Sequence, residues 1–157
     1  MKKRWYPALF FIFLLLAVSL ACSTSGTEKS TPTEETKASG GSLGIIQSVT
    51  MAKDASETNF IPISPTINFI NPEIMHAVVT LKDAPANTRV RVDWMTDKAG
   101  NSKPNFQMGT YELSTEGSRN IDFTFKPDTQ LPEGTYYVNV FLNGAFFLRV
   151  NFTVAAG

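Results

Sequence analysis

Residues 132–154, PEGTYYVNVFLNGAFFLRVNFTV, contain two runs of alternating apolar and polar side chains, on either side of Asn143-Gly144. In the first run, Tyr136, Val138 and Val140 fall on one face of an extended chain. The second run also places its larger apolar residues on one face: Phe146, Leu148, Val150, Phe152 and Val154. Alternation with a period of two is typical of a strand with one buried face, so this stretch predicts a β-hairpin.

The turn of this hairpin can be predicted in two ways. The pair Asn143-Gly144 favours a two-residue type I′ turn. Such a turn pairs Leu142 with Ala145, and the two apolar sets would then point to opposite faces of the hairpin. A loop of odd length brings both sets to one face. We therefore predict a three-residue loop, Leu142–Gly144, with Gly144 in the left-handed conformation of a G1 bulge.

The rest of residues 44–157 repeats the period-two pattern, with turn residues about every 8–12 positions. The clearest strand is 89–94, whose inward face carries Val90, Val92 and Trp94. Further strands are predicted at 45–51, 75–81, 108–113 and 121–126. In the second of these, the inward set starts at Met75 and alternates to Leu81, which places His76 on the outer face.

Residues 59–72 contain three prolines, which cannot donate to a sheet ladder, so they predict an edge or crossing segment whose Ile and Phe side chains pack over one end of the core. The whole pattern predicts one all-β domain, a sandwich or barrel. A chain of this length buries enough surface to fold without disulfides.

The first 22 residues read MKKRWYPALFFIFLLLAVSLAC. Cations at 2–4 precede an apolar run at 8–18 and then small residues, which is the pattern of a secretory signal. An uncleaved signal anchor is the alternative, but the apolar stretch is short for a helix that crosses a bilayer, which needs about 20 residues. The position of Cys22 decides between the two.

The stretch VSLAC at 18–22 resembles the lipobox of bacterial lipoproteins, in which signal peptidase II cuts just before a cysteine that carries lipid. Ala21 matches the usual small residue before the cut, and Ser19 stands where leucine is commoner. The resemblance implies that residues 1–21 are a lipoprotein signal peptide. It also implies that Cys22 carries diacylglyceryl and N-linked acyl chains of the palmitate type.

Residues 22–43 comprise this cysteine and a segment dominated by Ser, Thr, Gly, Glu and Lys. Such a composition cannot bury enough apolar surface to offset its ordering entropy, and it predicts a disordered tether. A flexible segment of this length has a root-mean-square reach of roughly 25 Å. We therefore expect three parts: signal peptide 1–21, lipidated linker 22–43 and domain 44–157.

A second resemblance lies at 132–138, PEGTYYV, which is similar to the Gly-x-Tyr-x-Cys corner of immunoglobulin-like domains. Tyr136 would be the corner tyrosine, Val138 stands where antibody domains have their second cysteine, and Trp94 resembles the buried tryptophan of strand C. The resemblance implies an antiparallel sandwich of about seven strands, of the immunoglobulin-like or fibronectin-like kind.

Few residues here could carry catalysis or hold a metal. Cys22 is the one cysteine and His76 the one histidine, so a zinc site is not expected. The carboxylates Asp93, Glu112 and Asp122 could in principle form a glycosidase pair, but cross-strand surface charges explain them better. We predict no catalytic residues, no metal and no cofactor.

The charge of the chain bears on its partners. The chain has 14 basic and 14 acidic residues. Loss of Lys2, Lys3 and Arg4 with the signal peptide leaves a net charge of −3, which gives no electrostatic footprint for nucleic acid.

The pattern suggests one binding surface. Tyr137, Phe141 and Phe147 are predicted to lie on the outward face of the terminal hairpin, together with Arg149. Aromatic residues with arginine on an exposed sheet are typical of binding surfaces. The alternative is that another segment of the domain covers them.

These observations predict an exported protein, lipid-anchored to the bacterial cell membrane or outer membrane with its domain outside the cytoplasm. The domain is expected to be a non-catalytic binding or structural module of the cell envelope, not an enzyme. Its partners would be membrane lipid through Cys22 and a protein or glycan, with no nucleic acid. The alternatives are an accessory subunit of a transport or secretion complex, or an enzyme whose site the sequence does not reveal.

Overall fold

The computed structural model describes residues 44–157, so the predicted signal peptide, Cys22 and the tether lie outside the described residues. The predicted all-β class is confirmed. The strands are β1 (Ile46–Ala55), β2 (Pro62–Pro65), β3 (Asn68–Ile70), β4 (Met75–Ala99), β5 (Gln107–Phe125), β6 (Gly134–Leu142) and β7 (Ala145–Ala155). In this part of the chain, no helix is long and apolar enough to cross a membrane.

The two longest strands, β4 and β5, form one antiparallel hairpin. Each contains two of the strands predicted from the sequence: 75–81 and 89–94 lie in β4, while 108–113 and 121–126 lie almost entirely in β5. The first half of β4 also pairs with β1, and its second half pairs with β6. The hairpin therefore belongs to two groups of strands at once.

This hairpin is folded back on itself. Phe125 pairs with Met75 at one end of β4, whereas Trp94 pairs with Gly109 towards the other end. A straight strand from Met75 to Trp94 would span roughly 60 Å at about 3.3 Å per residue. The rings of Trp94 and Phe125 are nevertheless stacked, with centroids 5.2 Å apart. All seven strands belong to one sheet, in the order β2-β1-β4-β6-β7-β3 with β5 paired to β4. The hairpin must therefore bend so that two parts of this sheet face each other, and we call these parts its two layers.

The bend lies where the pairing of β4 with β5 loses register, between Leu81 and Thr88. Asp83, Asn87 and Gly117 have positive φ angles there, of 49°, 63° and 73°. Asp, Asn and Gly tolerate this region better than other residues do, so the local sequence permits the bend.

The core lies between the two layers. The predicted inward residues of both halves of β4 are buried: Met75, Ala77, Val79, Leu81, Val90, Val92 and Trp94. Phe152 of β7 joins the aromatic part of this core, because its ring meets Trp94 edge-on at 5.9 Å and stacks on Tyr136 at 5.5 Å. Aromatic pairs in such geometries contribute about 0.5–1.5 kcal/mol beyond their buried area.

The terminal hairpin corrects one prediction. Leu142 pairs with Ala145, and both Asn143 (φ 50°) and Gly144 (φ 84°) have positive φ, as a two-residue type I′ turn requires. The predicted three-residue loop is therefore wrong. The extra residue that brings both apolar sets to one face lies inside β7 instead. Val140 pairs with Leu148 and Phe141 pairs with Phe146, so Phe147 has no partner in β6. A β-bulge at that position keeps the apolar sets of β6 and β7 on the same face.

The proline-containing segment lies at the edges, as predicted: β2 pairs with β1, and β3 pairs in parallel with β7. Phe69 is buried and meets the Phe152 ring edge-on at 5.7 Å. The isoleucines differ from the prediction, since Ile61 and Ile67 are about half exposed. Both lie immediately before an edge strand, where no neighbouring strand covers such side chains on one side.

A tight corner precedes β6. The Tyr136 hydroxyl donates a hydrogen bond to the backbone carbonyl of Pro132 at 2.5 Å, and burial raises the pKa of this tyrosine above its usual value. Gly134 has a φ of 149°, and a Cβ built on it would lie 2.0 Å from the carbonyl oxygen of Lys98. Only glycine allows the backbone to approach β4 this closely.

We expect Gly134→Ala to destabilise the domain by about 3 kcal/mol, because the clash is with backbone that cannot move aside. The matched control is Gly117→Ala, where φ is also positive but nothing lies within 4 Å. That variant should cost about 1 kcal/mol from conformational strain alone. Urea unfolding followed by circular dichroism measures both, and equal losses would contradict the close-approach explanation.

We expect Tyr136→Phe to lower the free energy of unfolding by about 1–2 kcal/mol at neutral pH, because the Pro132 carbonyl loses its donor. Since the folded-state pKa is raised, the unfolded chain loses the tyrosine proton first, and wild-type stability falls as the pH rises above about 10. The difference between wild type and variant should therefore shrink in that range. Tyr111→Phe, at a 44% exposed tyrosine, is the control and should change stability by less than about 0.5 kcal/mol.

Candidate functional site

The outer face of one layer carries most of the predicted binding residues. Its strands are the second half of β4, β6 and β7, and their registers place side chains in rows across the sheet. One row contains Met95, Tyr137 and Asn151. The next contains Asp93, Asn139 and Arg149, and a third contains Arg91, Phe141 and Phe146.

Tyr137 lies beneath Arg149 rather than at the surface. The tyrosine is only 2% exposed, and the guanidinium of Arg149 lies 3.8 Å from its ring centroid. The Tyr137 hydroxyl donates to Asn105 Oδ1 at 2.6 Å, and Arg149 Nε donates to Asn139 Oδ1 at 3.1 Å. Tyr137 therefore acts as a fixed platform that holds an exposed cation in place.

Phe141 has a similar arrangement one row away. The guanidinium of Arg91 lies 4.0 Å from the Phe141 ring centroid, and Arg91 Nε is 3.3 Å from Asp93 Oδ1. Phe146 packs edge-on against Phe141, with ring centroids 5.8 Å apart, and is itself 58% exposed. Cation–π contacts of this kind contribute about 0.5–1 kcal/mol at exposed sites, so they order these side chains before any partner arrives.

Phe147 does not belong to this face. It is half-buried and packs against the core, whereas Phe146, which the alternation predicted to point inward, is exposed. The bulge at Phe147 causes this exchange, because one extra residue in a strand inverts the alternation on one side of it. The conflict between the Asn-Gly turn and the two apolar sets was the only sequence signal that could have revealed Phe146.

We call Arg91, Tyr137, Phe141, Phe146 and Arg149 the arginine–aromatic face. Its charge is more positive than that of the whole chain. Within residues 44–157, Arg149 forms no ion pair, and Arg91 shares Asp93 with the hydroxyl of Thr110, which donates to Oδ1 at 2.5 Å. Of the four predicted residues, the structure thus brings together Tyr137, Phe141 and Arg149. It adds Arg91 and Phe146 to them.

The single histidine lies in the other layer and is not simply solvent-facing. His76 Nδ1 is 2.8 Å from Asp122 Oδ2, and its ring is 12% exposed. Its other ring nitrogen lies 4.0 Å from a carboxylate oxygen of Asp54 rather than beside a hydroxyl. A hydrolytic triad needs a nucleophile at that second nitrogen. Among the described residues, no three potential ligands are grouped so that they could hold a metal ion.

The three predicted carboxylates are divided between the two layers. Asp93 and Glu112 belong to the outer face of the β4–β6 layer, where Glu112 is 3.8 Å from Arg89. Asp122 belongs to the opposite layer with His76. Asp93 and Glu112 each lie near an arginine, as expected for charges that pair on a sheet surface.

No family model and no curated protein matches this chain. Among solved structures, it is similar to the Pseudomonas fluorescens alkylpurine DNA glycosylase AlkC bound to DNA containing an abasic site analog. The similarity has 17% sequence identity and a TM-score of 0.39, and it covers 69% of this chain. This chain spans 30% of the length of that protein.

The protein in that comparison is a DNA-bound enzyme, which contradicts three predictions made from the sequence. These are that the domain is a non-catalytic module, that the protein is not an enzyme and that nucleic acid is not a partner. We withdraw all three. At this TM-score the likeness assigns neither glycosylase activity nor DNA binding to the present chain.

Proposed function

We propose that the protein is an exported lipoprotein that is anchored through Cys22 and meets a partner protein through the arginine–aromatic face of an immunoglobulin-like domain. The observation that carries the proposal is the solvent exposure of the Phe146 side chain. It is a large apolar side chain, 58% exposed, packed edge-on against Phe141 and next to two ordered arginines. Arginine and aromatic residues are the types most enriched at the centres of protein interfaces.

Three features of the domain support the immunoglobulin-like assignment. The strands form two facing layers, and Trp94 is fully buried between them. The Tyr136 hydroxyl bonds back to the carbonyl of Pro132, as the corner tyrosine does in that fold. The central strands of each layer are the two halves of one continuous strand, β4.

The sequence of the N-terminal region supports the anchoring. Three cations, an apolar run and Ala21-Cys22 follow one another in the order that export and lipidation require. Each buried methylene of an acyl chain contributes about 0.8 kcal/mol, and two or more chains give stable attachment. The composition of residues 23–43 favours a flexible linker between that anchor and the first strand.

The order of the face supports its role in recognition. Arginine side chains carry about 2 kcal/mol of rotamer entropy, which free side chains lose when a partner binds. Arg91 and Arg149 already rest on aromatic rings at 4.0 and 3.8 Å. These side chains therefore lose part of their rotamer entropy when the domain folds. Less entropy is lost when a partner binds, which favours association.

We expect Cys22→Ala to abolish fatty-acid labelling and to leave the signal peptide uncleaved, because both steps require the thiol. Metabolic labelling with a clickable fatty acid measures the first, and the mobility of the precursor on a denaturing gel measures the second. Cys22→Ala protein that is labelled and processed like wild type would contradict the proposal. Ser23→Ala is the matched control and should be cleaved and labelled normally.

We expect a photo-crosslinking residue at position 146 to capture a discrete partner in intact cells, and the same residue at the exposed Ile63 not to capture it. Arg149→Gln should lower the yield of the adduct about fivefold or more, since a hot-spot side chain contributes at least about 1 kcal/mol to binding. An adduct that forms equally from both positions, or that is indifferent to Arg149→Gln, would remove the face from the proposal. The anchoring test is independent of this outcome.

A further inference from the structure

The N-terminal half of β5 forms an open edge of the sheet. Within the described part of the chain, β5 pairs with β4 and with no other strand. Residues 109–115 pair in regular register with 88–94, and residues 110–114 are all exposed. About half of the N–H and C=O groups of such a strand point away from its neighbour. Residues 109–115 therefore present a row of backbone groups that no strand within residues 44–157 pairs with.

Two other edges of the sheet, β2 and β3, carry features that block further pairing. β2 begins with Pro62 and ends with Pro65, neither of which can donate to a ladder. β3 is only three residues long and is followed by Pro72. Proline, lysine and short length are the usual devices that keep an edge strand from pairing with another chain. Residues 109–115, GTYELST, have none of them, so this edge can accept another strand.

Two large side chains of this edge are on the core side of the sheet but are not covered. Tyr111 pairs with Val92, which is fully buried, and is itself 44% exposed. Leu113 pairs with Val90, which is also fully buried, and is itself 48% exposed. In the other half of β5, by contrast, Ile121 is 4% exposed. The core therefore ends before it covers this edge, and Tyr111 and Leu113 form an apolar strip that is open to solvent.

The order of the side chains fits a second copy of the same strand. Antiparallel pairing with that copy, about a twofold axis at Tyr111, would place Leu113 opposite Gly109 of the other chain. It would also place Glu112 opposite Thr110. Glycine leaves room for the leucine, and the Tyr111 ring lies 3.5 Å from the position that a Cβ on Gly109 would take. Each leucine would thus pack on the tyrosine ring of the other copy, and the apolar strip would run unbroken across both chains.

The register at Tyr111 is the one that the strand itself allows. An axis at Glu112 would bring two carboxylates directly opposite each other, which destabilises a sheet. An axis at Thr110 would need regular pairing as far as Gln107, but the register of β5 shifts between Gly109 and Gln107. Only the axis at Tyr111 pairs five regular residues, covers the leucine and separates the two charges.

We propose that two copies of this protein join through residues 109–113 of β5, antiparallel about a twofold axis at Tyr111. The axis is perpendicular to the sheet, so the outer surfaces of both copies stay on the same side. The two arginine–aromatic faces of the dimer then lie on one continuous sheet and can engage two sites of one partner at once. The pairing itself requires neither the lipid at Cys22 nor the arginine–aromatic face.

The test is disulfide crosslinking of the full-length protein, purified in mild detergent and oxidised with copper phenanthroline. Directly opposite residues of an antiparallel pair have Cα atoms about 4.5–5.5 Å apart, which a disulfide can bridge. Tyr111→Cys should therefore form a covalent dimer on a non-reducing gel. Leu113→Cys should form at least tenfold less, because the two copies of residue 113 would be roughly 14 Å apart. Wild type, whose one cysteine is Cys22, gives the background whether or not that thiol carries lipid.

Leu113→Lys provides the second test, in the Tyr111→Cys background. A lysine on the edge should lower the yield of the dimer at least tenfold, and circular dichroism checks that the variant remains folded. No dimer from Tyr111→Cys above the wild-type background would overturn the proposal. So would equal yields from Tyr111→Cys and Leu113→Cys, which random collisions would produce, or a dimer that persists in folded Leu113→Lys protein.

Discussion

The stacking of Trp94 on Phe125 is the contact on which the architecture depends. These rings belong to distant parts of one hairpin, and they meet only because β4 and β5 fold back over themselves. Once they meet, the first half of the hairpin can serve one layer with β1, and the second half can serve the other with β6 and β7. Gly109 allows this packing, because a Cβ there would lie 3.3 Å from the Phe125 ring.

The terminal hairpin must keep the apolar residues of β6 and β7 on one face, and this requirement determines its pairing. A two-residue turn fixes the pairing at Leu142 and Ala145, and the core fixes the pairing of Val138 with Val150. The registers that these two pairings require differ by one residue. The bulge at Phe147 takes up this extra residue. The exposure of Phe146 is therefore a consequence of the packing of the core, and the proposed recognition surface results from it.

The arginine–aromatic face relies on side chains that the fold has already ordered. Aromatic rings support Arg91 at 4.0 Å and Arg149 at 3.8 Å. Preordered groups lose less entropy when a partner binds. This order, and not the size of the surface, is the physical basis of the proposed recognition.

The sequence by itself determined the all-β class, the positions of most strands, the buried faces around Val92 and Val79, and the edge position of the proline-containing segment, because alternation and proline act locally. It also predicted that the terminal hairpin contains one residue more than a two-residue turn and regular pairing would allow. Only the tertiary structure decided where that residue lies, which phenylalanine is exposed, that Arg91 and Arg149 rest on aromatic rings, and that His76 meets Asp122. These features depend on contacts between residues far apart in the chain, and periodicity along one strand contains no information about them.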